Sequence, residues 1–137
     1  MQQRLIFQPV AALALLTFAV LILIPIRRFA AARAGLVKRS DFTLGESSAV
    51  PGPARIPNRN YMNLLELPVL FYVGAIVYEV CGKVDAIALT MAWAYVAFRG
   101  LHSAIHLTYN DVTHRLMAFT ASNVVLLAFW IRFLVVD

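Results

Sequence analysis

The chain alternates long apolar stretches with short polar ones. Residues 5–26 carry no charge over 22 positions. As a helix rising about 1.5 Å per residue they reach roughly 33 Å, enough to cross a bilayer core. Three further stretches, about 61–80, 86–107 and 116–136, approach the same length. None shows the two-residue alternation of a barrel strand. The pattern predicts an all-α integral membrane protein with four transmembrane helices in a single domain, 1–137. Residues 82–85 are few enough to make the second and third helices an antiparallel hairpin, and residues 109–113 form a similarly short turn. The long connection, 27–59, opens with RRFAAARAGLVKR, which can carry the first helix beyond the lipid. It continues through Gly45, Pro51, Gly52, Pro53 and Pro57 as an irregular loop, with Asn58 or Asn60 suited to cap the second helix.

The first stretch has a charged start at Arg4 and small residues at Ala30, Ala31 and Ala32, as a cleaved signal would. Its apolar run exceeds the roughly 7–15 residues of a signal core, and Arg27 and Arg28 follow directly, so it reads as a retained span. Composition agrees with a membrane chain. Hydrophobic residues make up 61% and the mean hydropathy is +0.76, against roughly 45–50% apolar in soluble domains. The net charge of +5 would suit nucleic acid. Here the basic residues flank the spans instead, so topology accounts for them and no nucleic-acid partner is expected. Arg27, Arg28, Arg33, Lys38, Arg39, Arg55, Arg59 and Arg115 lie on one side, and Arg4, Lys83 and Arg132 on the other. Eight against three places the long connection in the cytoplasm and both termini outside it. Cys81 is the only cysteine, so no internal disulfide can form.

Polar residues inside the spans are costly and mark functional sites by default. In RNYMNLLELPVLF, Arg59, Asn63 and Glu66 fall at i, i+4 and i+7, on one helix face. In the third span Arg99, His102 and His106 make a second stripe, extended by Tyr95 and Asn110. Arg115 starts the fourth span. All lie toward the same, cytoplasmic end. One reading is structural: Glu66 pairs with Arg99 while the histidines hydrogen-bond across helices. A metal site built on His102, His106 and Glu66 is a second, opposed by the neighbouring arginines. The third is an anion pocket. Arginines grip carboxylates, Glu66 meets an ammonium, Asn63 meets an amide with both its ends, and the N-termini of helices two and four add positive potential. A small zwitterionic peptide matches that set. Pro68 removes a backbone donor and should kink the second helix, freeing a carbonyl near the site. Ser122 and Asn123 read as helix–helix hydrogen-bonding residues, and Trp130 as a packing or lipid-facing residue.

The residues RNYMNLLELPVLF, then RGLHSAIH, then HR ending at Arg115, resemble the MAPEG family, the membrane-associated proteins in eicosanoid and glutathione metabolism. The resemblance covers nearly the whole chain. It implies a left-handed four-helix bundle assembled as a homotrimer, here in a bacterial inner membrane, with glutathione bound between subunits at the cytoplasmic end. Arg59, Asn63 and Glu66 match residues that hold glutathione, His102 a glutathione contact, and Arg99 a structural arginine. Arg115 matches the arginine beside the thiol and is the candidate catalytic residue. His106 joins the binding set. The implied activity is joining the glutathione thiol to lipophilic electrophiles or reducing lipid peroxides, with a lipophilic molecule or lipid as second substrate. The alternative is a non-catalytic binding or assembly module on the same frame. Met62, His106, Leu116 and Phe119 stand where eicosanoid-forming relatives have arginine, tyrosine, serine and tyrosine, so the resemblance does not extend to prostaglandin or leukotriene chemistry.

Overall fold

The computed structural model describes residues 3–136; Met1, Gln2 and Asp137, which the single-domain expectation includes, lie outside the described residues. A 3-10 turn, Gln3–Ile6, leads into α1, Phe7–Arg33. The RRFAAAR segment therefore does continue the first helix, and Pro25 is accommodated within it. A second 3-10 turn, Arg39–Phe42, lies in the long connection, and the remaining α-helices are α2 (Gly52–Leu65), α3 (Pro68–Val80), α4 (Ala86–Leu107) and α5 (Val112–Val135). There is no strand among the described residues, only an isolated bridge between Thr43 and Gly45. The protein is an all-α membrane protein whose α2 and α3 form one interrupted helix in a four-helix bundle.

Among the described residues, three helical stretches are long and apolar enough to cross a membrane: Arg4–Arg33, Gly52–Val80 and Val112–Val135. α4, the expected third span, is long enough at 22 residues but more polar. Arg99, His102, Ser103 and His106 lower its hydropathy, and all four are buried against the other helices. The polar side chains of α4 are thus enclosed by protein rather than turned to lipid, as intramembrane polar groups require.

The expected start of the second helix is wrong by about two turns. It begins at Gly52 behind an extended Pro51 rather than at Asn58 or Asn60, with Pro53 in its first turn. Proline is tolerated there because first-turn donors have no intrahelical partner. Asn60 is instead a fully buried residue whose Oδ1 accepts from Ser103 Oγ at 3.2 Å. The part of the connection that remains irregular is pinned to α1. Val37, Val50 and Ala54 bury against Ala31 and Phe42. Arg28 donates to Glu46 at 2.8 Å and stacks over the Phe42 ring.

The core runs the length of the bundle. α1 contributes Leu13 and Val20, α2 Leu64, and α3 Phe71, Ala75 and Tyr78. α4 adds Ala88, Ala92 and Tyr95, and α5 adds Leu126 and Phe129. The alanines at i and i+4 of α4 let neighbouring helices approach closely. Aromatic rings link three helices: Tyr95 to Phe71 at 4.8 Å and Tyr78 to Phe129 at 4.4 Å between centroids. The Tyr78 hydroxyl also donates to the Phe129 carbonyl. Gly74 is held to hydrogen by sterics, since a Cβ there would sit 3.0 Å from Phe129 and 3.2 Å from Trp130.

Both hairpin turns are closed by aspartate. Asp85 caps α4 by accepting from the Ala88 amide, and Asp111 caps α5 by accepting from the His114 amide. These backbone bonds hold both carboxyls below the usual carboxylate range, and Arg132 adds to the effect at Asp85. A depressed carboxylate contributes stability above its unfolded-state pKa and loses it as pH falls through the folded-state value. As pH falls below the unfolded carboxylate value and through the depressed folded-state value, the Ala88 and His114 amides should therefore lose hydrogen-exchange protection before mid-helix amides do. Protection that stays constant across that range would show that the caps do not carry these helix ends.

Candidate functional site

The site begins with a broken helix. Pro68 has no amide hydrogen and its ring conflicts with continuation of the preceding turn. α2 ends at Leu65, Glu66 turns away with φ −80° and ψ −100°, and α3 restarts at Pro68. A helix end leaves carbonyls unpaired, which is costly away from water. Arg99 answers this. It is fully buried on α4, donates from Nη2 to the Asn63 carbonyl, and lies 5.5 Å from the centre of the Phe119 ring. The carbonyl end of α2 also carries partial negative charge, which favours a cation at that point. The kink expected at Pro68 is present; the bend at Glu66 takes the Leu67 amide away from the Asn63 carbonyl, and the guanidinium serves that carbonyl in its place.

Beside this cap lies a cavity of about 440 Å³, lined by α2, α4 and the start of α5. Arg59, Asn63, Glu66, His102, His106 and Arg115 all line it, together with Asn58, Met62, Val112, Leu116 and Phe119. Of the seven residues singled out in the sequence, Arg99 alone stays outside the lining and supports it from behind. Glu66 is exposed and makes no ion pair among the described residues, so the pairing with Arg99 that a purely structural reading requires is not formed. Asn63 spends one amide hydrogen on the Arg59 carbonyl at 3.0 Å. Its side-chain oxygen and second hydrogen remain, less than the full two-ended amide partner expected.

Arg115 is held in place from the α4–α5 turn. Asn110 adopts φ +50°, a left-handed conformation that asparagine tolerates better than most residues. Its amide donates to the Ile105 carbonyl, while its side-chain oxygen accepts from Arg115 Nη1 at 2.8 Å. Asn110 thus both ends α4 and orients the arginine, a role its place at the end of a polar stripe did not reveal. His102 Nδ1 lies 3.2 Å from the Arg115 carbonyl. A carbonyl only accepts, which assigns the hydrogen to Nδ1 and leaves Nε2 an acceptor. The His102 and His106 rings meet edge to face at 5.6 Å.

The positive helix end near the cavity is that of α5, whose first residue Val112 lines it. The expected contribution from the second helix is absent, because α2 starts seven residues before Arg59, roughly 10 Å away along the axis. No cluster of three or more metal-ligating side chains occurs among the described residues. The lining combines two arginines, one carboxylate without an ion pair among the described residues, two imidazoles and two asparagines. Its chemistry suits a small anion that also carries one positive group.

The model of the MAPEG family matches residues 6–135, all of the bundle and all of this lining. The chain belongs to the MAPEG family. No curated protein and no solved structure gives a significant match. Within this MAPEG chain, the break at Pro68 and the arginine from α4 are a coupled pair. Replacing Arg99 by Met removes the donors that serve the Asn63 carbonyl. Replacing Pro68 by Ala lets α2 continue and supply a backbone donor instead. The Arg99→Met cost in thermal unfolding should therefore shrink in a Pro68→Ala background, with a coupling of about 0.5–3 kcal/mol. Equal costs in both backgrounds would separate Arg99 from the helix break.

Proposed function

We propose that this protein binds glutathione in the cavity between α2, α4 and α5 and uses its thiol on lipophilic molecules, as a transferase or lipid-peroxide reductase. The observation that carries the reading is the convergence of Arg59, Asn63, Glu66, His102, His106 and Arg115 on one cavity. Glutathione presents two carboxylates, an ammonium, two amides and a thiol. The lining offers arginines for carboxylates, an unpaired Glu66 for the ammonium, and the free oxygen of Asn63 for an amide hydrogen. When bound, glutathione supplies the nucleophilic thiol. Arg115 stands in the first turn of α5, anchored by Asn110. There its charge and the helix N-terminus favour the anionic form of a thiol placed nearby.

An apolar groove of about 380 Å³, lined by Leu67, Leu70, Asn123, Leu126, Leu127 and Trp130, lies farther along the same face of α5. It supports a lipophilic second substrate that reaches the cavity from within the membrane. The basic residues of the long connection lie at the cavity's end of the bundle, which supports an orientation with the site toward the cytoplasm and both termini outside. Cytoplasmic access suits a soluble thiol peptide. Family membership supports assembly as a homotrimer.

Glu66→Gln preserves size and most hydrogen bonding while removing the charge that meets an ammonium. Because Glu66 makes no ion pair among the described residues, the substitution breaks no direct contact and removes only its longer-range charge from Arg99. Calorimetric titration of the purified protein should show glutathione affinity falling about tenfold, the worth of one charge-assisted hydrogen bond, with the oligomer intact in detergent. Unchanged affinity would remove Glu66 from the site. A dissociated oligomer would return it to a structural role.

A further inference from the structure

α5 carries the cavity and the groove on one continuous face. Arg115, Leu116 and Phe119 line the first, and Asn123, Leu126, Leu127 and Trp130 line the second. On the opposite wall Glu66 belongs to the cavity, and Leu67 and Leu70 to the groove. The two spaces therefore follow one another along the helix, polar at the basic end and apolar toward the middle.

Asn123 is out of place in this groove. It sits near the midpoint of Val112–Val135, where an amide without partners is expensive in lipid. Among the described residues, neither it nor Ser122 bonds to another helix of the same chain. Ser122 donates to the Phe119 carbonyl of its own helix at 2.7 Å. Its one hydroxyl hydrogen is thereby spent, so its 3.5 Å approach to Asn123 Oδ1 adds little. The Asn123 Nδ2 donors make no hydrogen bond among the described residues. A half-buried amide with free donors lies among leucines and a tryptophan, about one helical turn beyond the cavity's Phe119.

We propose that Asn123 selects a lipophilic chain bearing an oxygen function, a hydroxyl or carbonyl, at a set distance from its reacting end. Arg115 and Asn123 are eight residues apart, roughly 12 Å along the helix axis. The preferred ligand places its reactive group by Arg115, its oxygen on the Asn123 amide, and its remaining hydrocarbon toward Trp130. A plain chain also fits the leucine walls but leaves the amide unserved. That difference is worth about threefold to tenfold in affinity for one net hydrogen bond. The proposal rests on the groove receiving the lipophilic substrate, and its test does not depend on turnover.

Binding of two unreactive long-chain alcohols, one with an added hydroxyl roughly 12 Å along the chain, can be followed through quenching of Trp130 in a Trp93→Phe background. The hydroxylated chain should bind about threefold to tenfold more tightly, and Asn123→Leu should abolish the preference. Equal binding of both alcohols to the protein with Asn123 present, or no binding, overturns the proposal without need of any variant at that position. A preference that survives Asn123→Leu also overturns it, as does loss of the oligomer in that variant with no preference beforehand. In parallel, conjugation of glutathione to the matching pair of long-chain α,β-unsaturated aldehydes tests the reaction. Selective binding without turnover leaves Asn123 as a selector and removes the transferase reading. Turnover without selectivity does the reverse.

Discussion

Arg99 reaches from α4 to the carbonyl of Asn63 at the point where Pro68 stops α2 from continuing. The rest of the basic end is arranged around that contact. Without the break, Glu66 would lie within a regular turn rather than at the bend where α2 gives way to α3. Without the guanidinium, the broken end would present an unpaired carbonyl inside the bundle. The arginine is itself expensive to bury. Part of that cost is offset by the carbonyl it meets, the negative end of α2 and the face of Phe119. Two features that are separately unfavourable in a membrane, a proline inside a helix and a buried arginine, satisfy each other.

The same contact divides labour among the polar residues. Arg99 is committed to the fold. Asn60 is committed to Ser103, and Asn110 to the turn and to Arg115. Arg59 and Glu66 are free of such duties, and Asn63, His102 and His106 still present polar groups beyond their structural bonds. A cavity lined by uncommitted polar groups and backed by committed ones is the arrangement expected of a binding site rather than of helix–helix glue. Arg99 Nε and Nη1, the Tyr95 hydroxyl and Asn60 Nδ2 are buried without hydrogen-bond partners among the described residues. The polar character of this end thus extends behind the cavity as well as into it.

Much of this was legible in the sequence. Apolar length placed the spans in their order, with the second divided into α2 and α3, and the bounds of α4 coincide with those read from the chain. The i, i+4, i+7 spacing of Arg59, Asn63 and Glu66 and the matching stripe from Arg99 to His106 foretold that their side chains share a face. The start of α2 was obscured by Pro53 and Pro57, which read as loop residues but fit a helix whose first turn needs no proline donor. The partner of Arg99 was missed because opposite charges suggest each other in sequence, whereas a backbone carbonyl freed by a proline has no letter of its own. Asn110 was hidden for a similar reason, since its contribution depends on a left-handed backbone conformation. Asn123 looked like a helix–helix bonding residue until the structure left its amide facing a groove.

The account rests on the cavity serving an anionic thiol peptide with Arg115 beside the sulfur. The most direct measurement is the ultraviolet thiolate absorbance of glutathione bound to the purified protein, titrated with pH for the native chain and for Arg115→Ala. The bound thiol should ionise below the roughly 8.5 typical of a cysteine thiol, and above its native-chain value in Arg115→Ala, each pKa unit representing about 1.4 kcal/mol of thiolate stabilisation. Superimposable titrations would contradict the role given to Arg115. Absence of any bound thiolate or of saturable binding would contradict the assignment of the cavity itself.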